Sequence, residues 1–238
     1  MALYKTEGLI YKIKNMHDSN KLVWILSKDK GKINSIAKGV KKISSKRAGH
    51  IDIFNHNKFT FYKGRNLDIL TETSSIKSYE NIKKKFVFET FYLAELIDSI
   101  IVEPSESNKI LNYLLVIYDN ATESNFIKLL AFFEIKLLQT LGFEPNLHTF
   151  LDTNSALKIE DEIYFSNTTP GFLSFGEKEF LVNPNTIKCQ RFFLNNFIYE
   201  TLKLDIEKKT LKQISRINKI WLQTVIDKKL KSLQFVKT

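Results

Sequence analysis

The chain of 238 residues is poor in the residues that build cross-linked scaffolds and loops. Its single cysteine, Cys189, cannot close an internal disulfide, which excludes a disulfide-held secreted scaffold and suits a reducing compartment. Eight glycines and four prolines are too few for a loop-dominated fold. The opening MALYKTEGLI has none of a signal peptide's apolar core. No uncharged apolar run reaches the roughly 20 residues that a membrane helix needs. The best candidate, Phe86 to Val102, is broken by Glu89, Glu95 and Asp98. A soluble intracellular protein without a membrane partner is expected.

Catalytic patterns are equally sparse. Lys28 to Lys32 lacks the glycines of a P-loop or a dinucleotide turn. Ser174 and Cys189 have no accompanying His and acid pattern. His17, His50, His56 and His148 are scattered, with no zinc-like spacing, and read as solitary surface histidines. Glu160-Asp161-Glu162 reads as a charged turn rather than an acid–base pair, although it is the one place a hydrolase could be sought. The expectation is a non-enzymatic protein with no metal and no cofactor.

What the chain does have is positive charge in one place. Residues 1–80 carry 14 Lys and 2 Arg against 7 acids, a net of +9 within a whole-chain charge of +10. Lys12 to Arg47 alone carries 11 bases against Asp18 and Asp29. Residues 81–202 are net −6, and 203–238 net +7. A local cationic excess of this kind is the footprint of a protein that follows a phosphate backbone.

The basic third also reads as β-structure. Leu3 to Lys14 alternates in part, with Leu9, Tyr11 and Ile13 expected on one face. Lys21 to Ser27 is a short apolar run, and Lys28-Asp29-Lys30-Gly31 turns the chain into Lys32 to Val40. Ile51, Ile53, Phe59 and Phe61 predict a fourth strand, and Lys63-Gly64-Arg65-Asn66 a turn into Leu67 to Thr73. Five short strands with one basic face predict a small barrel, of which the OB-fold is the commonest that takes nucleic acid. Beyond Tyr79 the period becomes helical: Phe86 to Glu103, Ser107 to Asp119, Ser124 to Gly142, Arg191 to Leu204 and Thr210 to Leu230. Residues 146–190 return to a strand-and-turn texture. The fold class is α+β: an OB-fold barrel over residues 1–78, then a helical domain over 79–238 with an irregular β insertion at about 146–190.

Within the barrel, Lys38, Lys41, Lys42, Lys46 and Arg47 gather on a Gly/Ser-rich loop and are the leading phosphate contacts, each releasing counterions as it binds. Lys12, Lys21, Lys32, Lys63 and Arg65 extend the set, and Tyr62 is the better stacking platform. Trp24 and Phe61 are expected in the core, as alternating strand aromatics usually are. Lys228, Lys229 and Lys231 are either a second basic surface or cations complementing a helix C-terminus.

The residues also carry a family resemblance. Thr6-Glu7-Gly8-Leu9-Ile10-Tyr11-Lys12, Asp18-Ser19-Asn20-Lys21-Leu22, Gly31-Lys32-Ile33 and Ala37-Lys38-Gly39-Val40-Lys41-Lys42 resemble the amino-terminal domain of RecO, the bacterial recombination mediator family. Tyr62 to Asp68 is similar to its "Y-x-G-R-x-L-D" turn, Phe133 to Leu138 with Leu141 to Pro145 to its "F-E-x-x-L-L…L-G-F-x-P" block, and Leu230 to Leu233 to its close. The resemblance implies an OB-fold followed by a helical domain, and binding of single- and double-stranded DNA with annealing of complementary strands. It further implies partnership with RecR and with the acidic tail of single-strand binding protein, indirect loading of RecA, and a cytoplasmic, nucleoid-associated site of action. Lys128 and Lys136 are the candidates for the acidic tail. Many members carry a four-cysteine zinc motif after "L-G-F-x-P"; here that region has no cysteine, so packing through Phe150, Tyr164, Phe165, Phe172 and Phe175 is expected to replace it. The alternative from the fold alone is an OB-fold RNA-binding protein of translation or RNA processing.

Overall fold

A computed structural model describes residues 2–100, 102–166, 168–176, 179–226 and 228–236. Five strands come first: β1 (Leu3–Asn15), β2 (Lys21–Ser27), β3 (Lys32–Ala37), β4 (His56–Tyr62) and β5 (Asp68–Lys77). They close into a barrel of order β1-β2-β3-β5-β4, antiparallel except where β3 meets β5. β1 is long because it serves two neighbours: Leu3 to Leu9 pair with β4, and Gly8 to Asn15 with β2. The strands cross over at Gly8, where a Cβ would lie 2.3 Å from the Leu26 carbonyl oxygen, so only glycine fits.

A bulge between Ile10 and Lys12 reverses which side chains of β1 point inward. Ile10 belongs to the barrel core and Ile13 packs against it, while Leu9 and Tyr11 are buried outside that cluster, on the strand that α2 covers. Leu9, Tyr11 and Ile13 therefore do not share the single face that a regular period of two predicts. Ile10, Val23, Ile25, Ile33, Phe59, Phe61 and Leu70 fill the interior. Ile51 and Val40 also enter it, but Ile51 does so from a loop. The expected strand through Ile51 and Ile53 begins only at His56, because a short 3₁₀ turn (Ala48–His50) and a left-handed Phe54 (φ 57°) interrupt it.

Seven α-helices follow among the described residues: α1 (Glu80–Lys85), α2 (Val87–Ser99), α3 (Pro104–Asn120), α4 (Phe126–Thr140), α5 (Pro184–Asn195), α6 (Ile198–Leu202) and α7 (Lys208–Val225). The single helix expected over Arg191 to Leu204 is two. α5 starts earlier, where the Asn183 side chain accepts the Asn185 N–H at 2.9 Å and Pro184 takes the first helical position. It ends where the side chains of Asn195 and Asn196 turn back onto the carbonyls of Arg191 and Phe192. α7 stops at Val225, short of the expected Leu230.

The chain forms two compact units, one running to Tyr118 and including Leu230–Val236, the other running from Asp119 to Lys229. In the second, Glu134 of the Phe133–Leu138 block is fully buried and accepts from Asn218 of α7, which also donates to the Ala131 carbonyl at 2.9 Å. The insertion carries a three-stranded sheet of two-residue strands, ordered β7 (Phe172–Leu173), β6 (Tyr164–Phe165), β8 (Phe180–Leu181). Phe165 and Phe172 pack edge-on to Trp221 of α7, at 5.1 and 5.6 Å between ring centroids. Phe150 is buried as expected, but Phe175 is exposed and takes no part in that packing; Trp221 supplies the anchor instead.

Phe61 is fully buried between Tyr4 and Phe59, at centroid distances of 5.2 and 5.8 Å. Replacing it with Ala should cost about 3–5 kcal/mol by leaving a cavity. Urea unfolding followed by tryptophan fluorescence would measure it, and a loss under about 1 kcal/mol would contradict this packing.

Candidate nucleic-acid interface

The loop after β3 is cationic yet well anchored. The Gly39 N–H donates to the Asn20 side-chain oxygen at 2.8 Å, and the Lys41 N–H to the Ser19 carbonyl at 2.9 Å. Those two bonds tie the loop to the β1–β2 turn, which is itself held by left-handed Asp18 and Ser19 (φ 55° and 62°). Val40 plugs the loop into the barrel core, and Gly39 adopts φ +68° to let it do so. The Arg47 guanidinium lies inside the arrangement: it donates to the carbonyls of Leu70 (2.7 Å), Thr71 (3.2 Å) and Lys38 (2.6 Å), clamping the loop to β5. Lys38, Lys41, Lys42 and Lys46 are left exposed on this frame, with Lys41 also reaching the Met16 carbonyl at 3.3 Å. Ile43, at the tip among them, is fully exposed, an apolar contact that counting charges does not reveal. Lys21 pairs in register with Ala37 and so stands at the loop's root.

A second basic group sits where β3 begins. Lys30, Asn34, Lys63, Arg65 and Asn66 line a cleft of about 500 Å³. The turn that carries Lys63 and Arg65 depends on Gly64, where a Cβ would fall 1.8 Å from the Leu67 carbonyl oxygen. It depends equally on buried Asp68, which accepts from the Gly64 N–H at 3.0 Å and from the Tyr4 hydroxyl, with the Lys63 ammonium 3.7 Å away. Arg65 is exposed. Tyr62, exposed as its place opposite Phe61 predicts, borders this turn.

The outer face of β2 and β3 connects the two groups. Trp24, expected in the core, is on that outer face instead, half-buried beside Asn34 and Lys12 in register. Val23 and Ile25 are the residues that point inward, so Trp24 must point out. The Lys12 ammonium lies 5.0 Å from its ring centre and 2.7 Å from the Asp98 carboxylate.

Three other candidate lysines bond the protein's own carbonyls: Lys32, which also lines the cleft of Lys63 and Arg65, Lys128 and Lys136. The Lys32 ammonium donates to the carbonyls of Ile97 (2.8 Å), Asp98 (3.1 Å) and Ile100 (2.8 Å), the end of α2. It supplies donors to carbonyls that a helix end leaves without a partner inside the helix. Burial pulls its pKa below the ordinary lysine value, against the pull of the Asp98 carboxylate. Lys128 does the same at the end of α6, donating to the carbonyls of Leu202 and Leu204, and Lys136 at the end of α5, donating to the Leu194 carbonyl at 2.7 Å. Burial lowers both. Both ammonium groups are thus bonded within the protein.

Lys228 and Lys229 are exposed beyond α7, and Lys231 lies in the other compact unit with its N–H on the Glu95 carboxylate at 2.9 Å. None falls in the last turn of a helix. His56, expected at the surface, is buried with Nε2 on the Glu7 carboxylate at 2.8 Å, because β1 and β4 bring them together. Glu160, Asp161 and Glu162 form an exposed turn, with Asp161 accepting from the Lys158 N–H. Among the described residues no group of three His, Cys, Asp or Glu side chains could hold a metal, and no helix is long and apolar enough to cross a membrane.

A closed five-stranded barrel of this topology, with basic loops at both ends of its β2–β3 face, defines an OB-fold module. The chain belongs to the recombination protein O family: residues 1–79 match the family model "Recombination protein O N terminal" and residues 90–234 "Recombination protein O C terminal". It is similar to the DNA repair protein RecO of Symbiobacterium thermophilum, at 24% identity over 100% of this chain and 98% of the relative. The DNA repair protein RecO of Acetivibrio thermocellus is 22% identical with the same coverage, and that of Roseiflexus sp. 26% identical over 98% of this chain and 85% of the relative.

The two kinds of lysine should separate on substitution. Lys32→Ala should destabilise the fold by about 2 kcal/mol, since it orphans three carbonyls at one helix end, and leave the salt dependence of DNA binding unchanged. Lys42→Ala should do the reverse, changing stability by less than about 0.5 kcal/mol. Thermal unfolding beside a salt titration would check both; equal effects of the two variants would contradict the assignment.

Proposed function

We propose that the chain is a non-enzymatic mediator of recombinational DNA repair whose barrel binds the DNA backbone. One observation carries this reading: four lysines stand exposed, with no carboxylate paired to them among the described residues, on a loop fixed chiefly by backbone groups, Asn20 and Arg47. Such a surface is ready for phosphates without first losing an internal ion pair. The path runs from the Lys63–Arg65 turn over the β2–β3 face to the Lys38–Lys46 loop, the surface by which OB-folds take oligonucleotides. Trp24 and Tyr62 offer ring faces to unpaired bases along it, and Ile43 an apolar tip. Lys12, Lys21, Lys63 and Arg65 add charge; Lys32 and Arg47 hold the framework.

Membership of the family supports the finer roles: binding of single- and double-stranded DNA, annealing, and, with RecR, replacement of single-strand binding protein by RecA. In this reading the acidic tail of single-strand binding protein docks elsewhere than on Lys128 and Lys136. Residues 1–78 act as the main DNA-binding domain, and 79–238 carry the partner contacts.

The test is a salt titration of single-stranded DNA binding with the wild type and with Lys38, Lys41, Lys42 and Lys46 all changed to Ala. Each lost phosphate contact removes about 0.7 from the slope of log K against log salt, so the slope should fall by about 3. An unchanged slope would remove the loop from the interface. Tighter binding of RNA of the same sequence would favour the RNA-processing alternative instead.

A further inference from the structure

Charge is distributed unusually along α7. Lys208, Lys209, Lys212, Arg216 and Lys219 are its charged residues, with no acid within the helix. At 3.6 residues per turn all five project within an arc of about 100°. The opposite side is buried through Ile214, Ile217, Asn218, Trp221 and Leu222. The stripe is about 16 Å long, at 1.5 Å per residue. Lys208, Lys209, Lys212 and Arg216 are exposed. Among the described residues no carboxylate pairs with these four. Arg216 is held in place over the Phe180 ring, 3.9 Å from its centre.

This arrangement opposes the helix's own stability in two ways. Lys208 and Lys212, and Lys212 and Arg216, are like-charged pairs four residues apart, which repel on a helix face. Lys208, Lys209 and Lys212 also occupy the N-terminal turns, where the helix dipole favours anions such as the N-cap Glu207 that precedes them. A surface evolved for solubility alone would gain from interspersed acids. A bound anion removes both penalties together.

We propose that the exposed face of α7 is a second phosphate-backbone surface, which takes a DNA strand separately from the barrel. The proposal rests on the DNA-binding reading above and supplies what annealing demands: two strands held by one chain with their mutual repulsion screened. The linear form fits a strand, whose charges recur about every 3.4 Å along a B-form axis, so that the stripe matches a run of about five. It places the second surface on α7 rather than on Lys228, Lys229 and Lys231.

The test uses the full chain and short oligo-dT as the probe, with native mass spectrometry giving strands bound per chain. The wild type should take two. Replacing Lys208, Lys209, Lys212 and Arg216 with Gln, which keeps helix propensity, should leave one, slow annealing of complementary strands at least tenfold and leave thermal stability unchanged or raised. The Lys38/Lys41/Lys42/Lys46→Ala variant should also retain one. If the helix variant still binds two strands and anneals within twofold of wild type, the α7 proposal fails while the barrel reading stands. If it anneals normally but loses binding to poly-glutamate, the stripe recognises an acidic protein and the proposal is again overturned. If the wild type binds no strand, both readings fail.

Discussion

A carbonyl at the end of a helix, once removed from water, must find a donor, and in this chain lysine ammonium groups meet that demand. Lys32 does so for α2, Lys128 for α6 and Lys136 for α5. The long apolar stem lies along the protein while the ammonium carries several donors and a charge that complements the helix dipole. Lys38, Lys41, Lys42 and Lys46 of the loop after β3 stay exposed instead. The functional surface of a lysine-rich protein is therefore set by which cations the fold has no internal use for.

The barrel makes the same division on its own scale. Arg47 clamps the loop after β3, Asp68 holds the turn after β4, and Lys38, Lys41, Lys42, Lys46, Lys63 and Arg65 project into solvent from them. Rigid framing lowers the entropy lost when a strand binds, because the cations are already placed. The bulge in β1 contributes by letting one strand fill the barrel core with Ile10 and Ile13 while placing Lys12, and a buried Tyr11, outside that core. Lys12 then meets both Trp24 and Asp98.

Much of this was legible in the sequence. The charge excess, the five strands and the switch to a helical period after Tyr79 follow from local pattern, as does Tyr62 pointing away from Phe61. Most of the misses share a cause: they depend on partners distant in the chain. Nothing near Lys32 shows that its ammonium ends on the carbonyl of Ile97, 65 residues away. Trp24 looks like core until β2's inward phase is known, and a bulge shifts the face of β1 without a strong local mark. His56 looks solitary until β4 pairs with β1 and brings Glu7 to it. Two misses were readable: Asn183-Pro184 is a helix-start signature, and the spacing of the α7 bases is a helical period that the total charge concealed.

The central claim is that inward and outward lysines have separate work. Reductive methylation of lysines followed by mass spectrometry, with and without saturating single-stranded DNA, tests it directly. The account predicts that Lys38, Lys41, Lys42 and Lys46 react freely in the unbound protein and are protected by DNA, while Lys32 and Lys136 react slowly in both states. Unchanged reactivity of the four loop lysines on saturation, or ready modification of Lys32 and Lys136 in the folded protein, would contradict it.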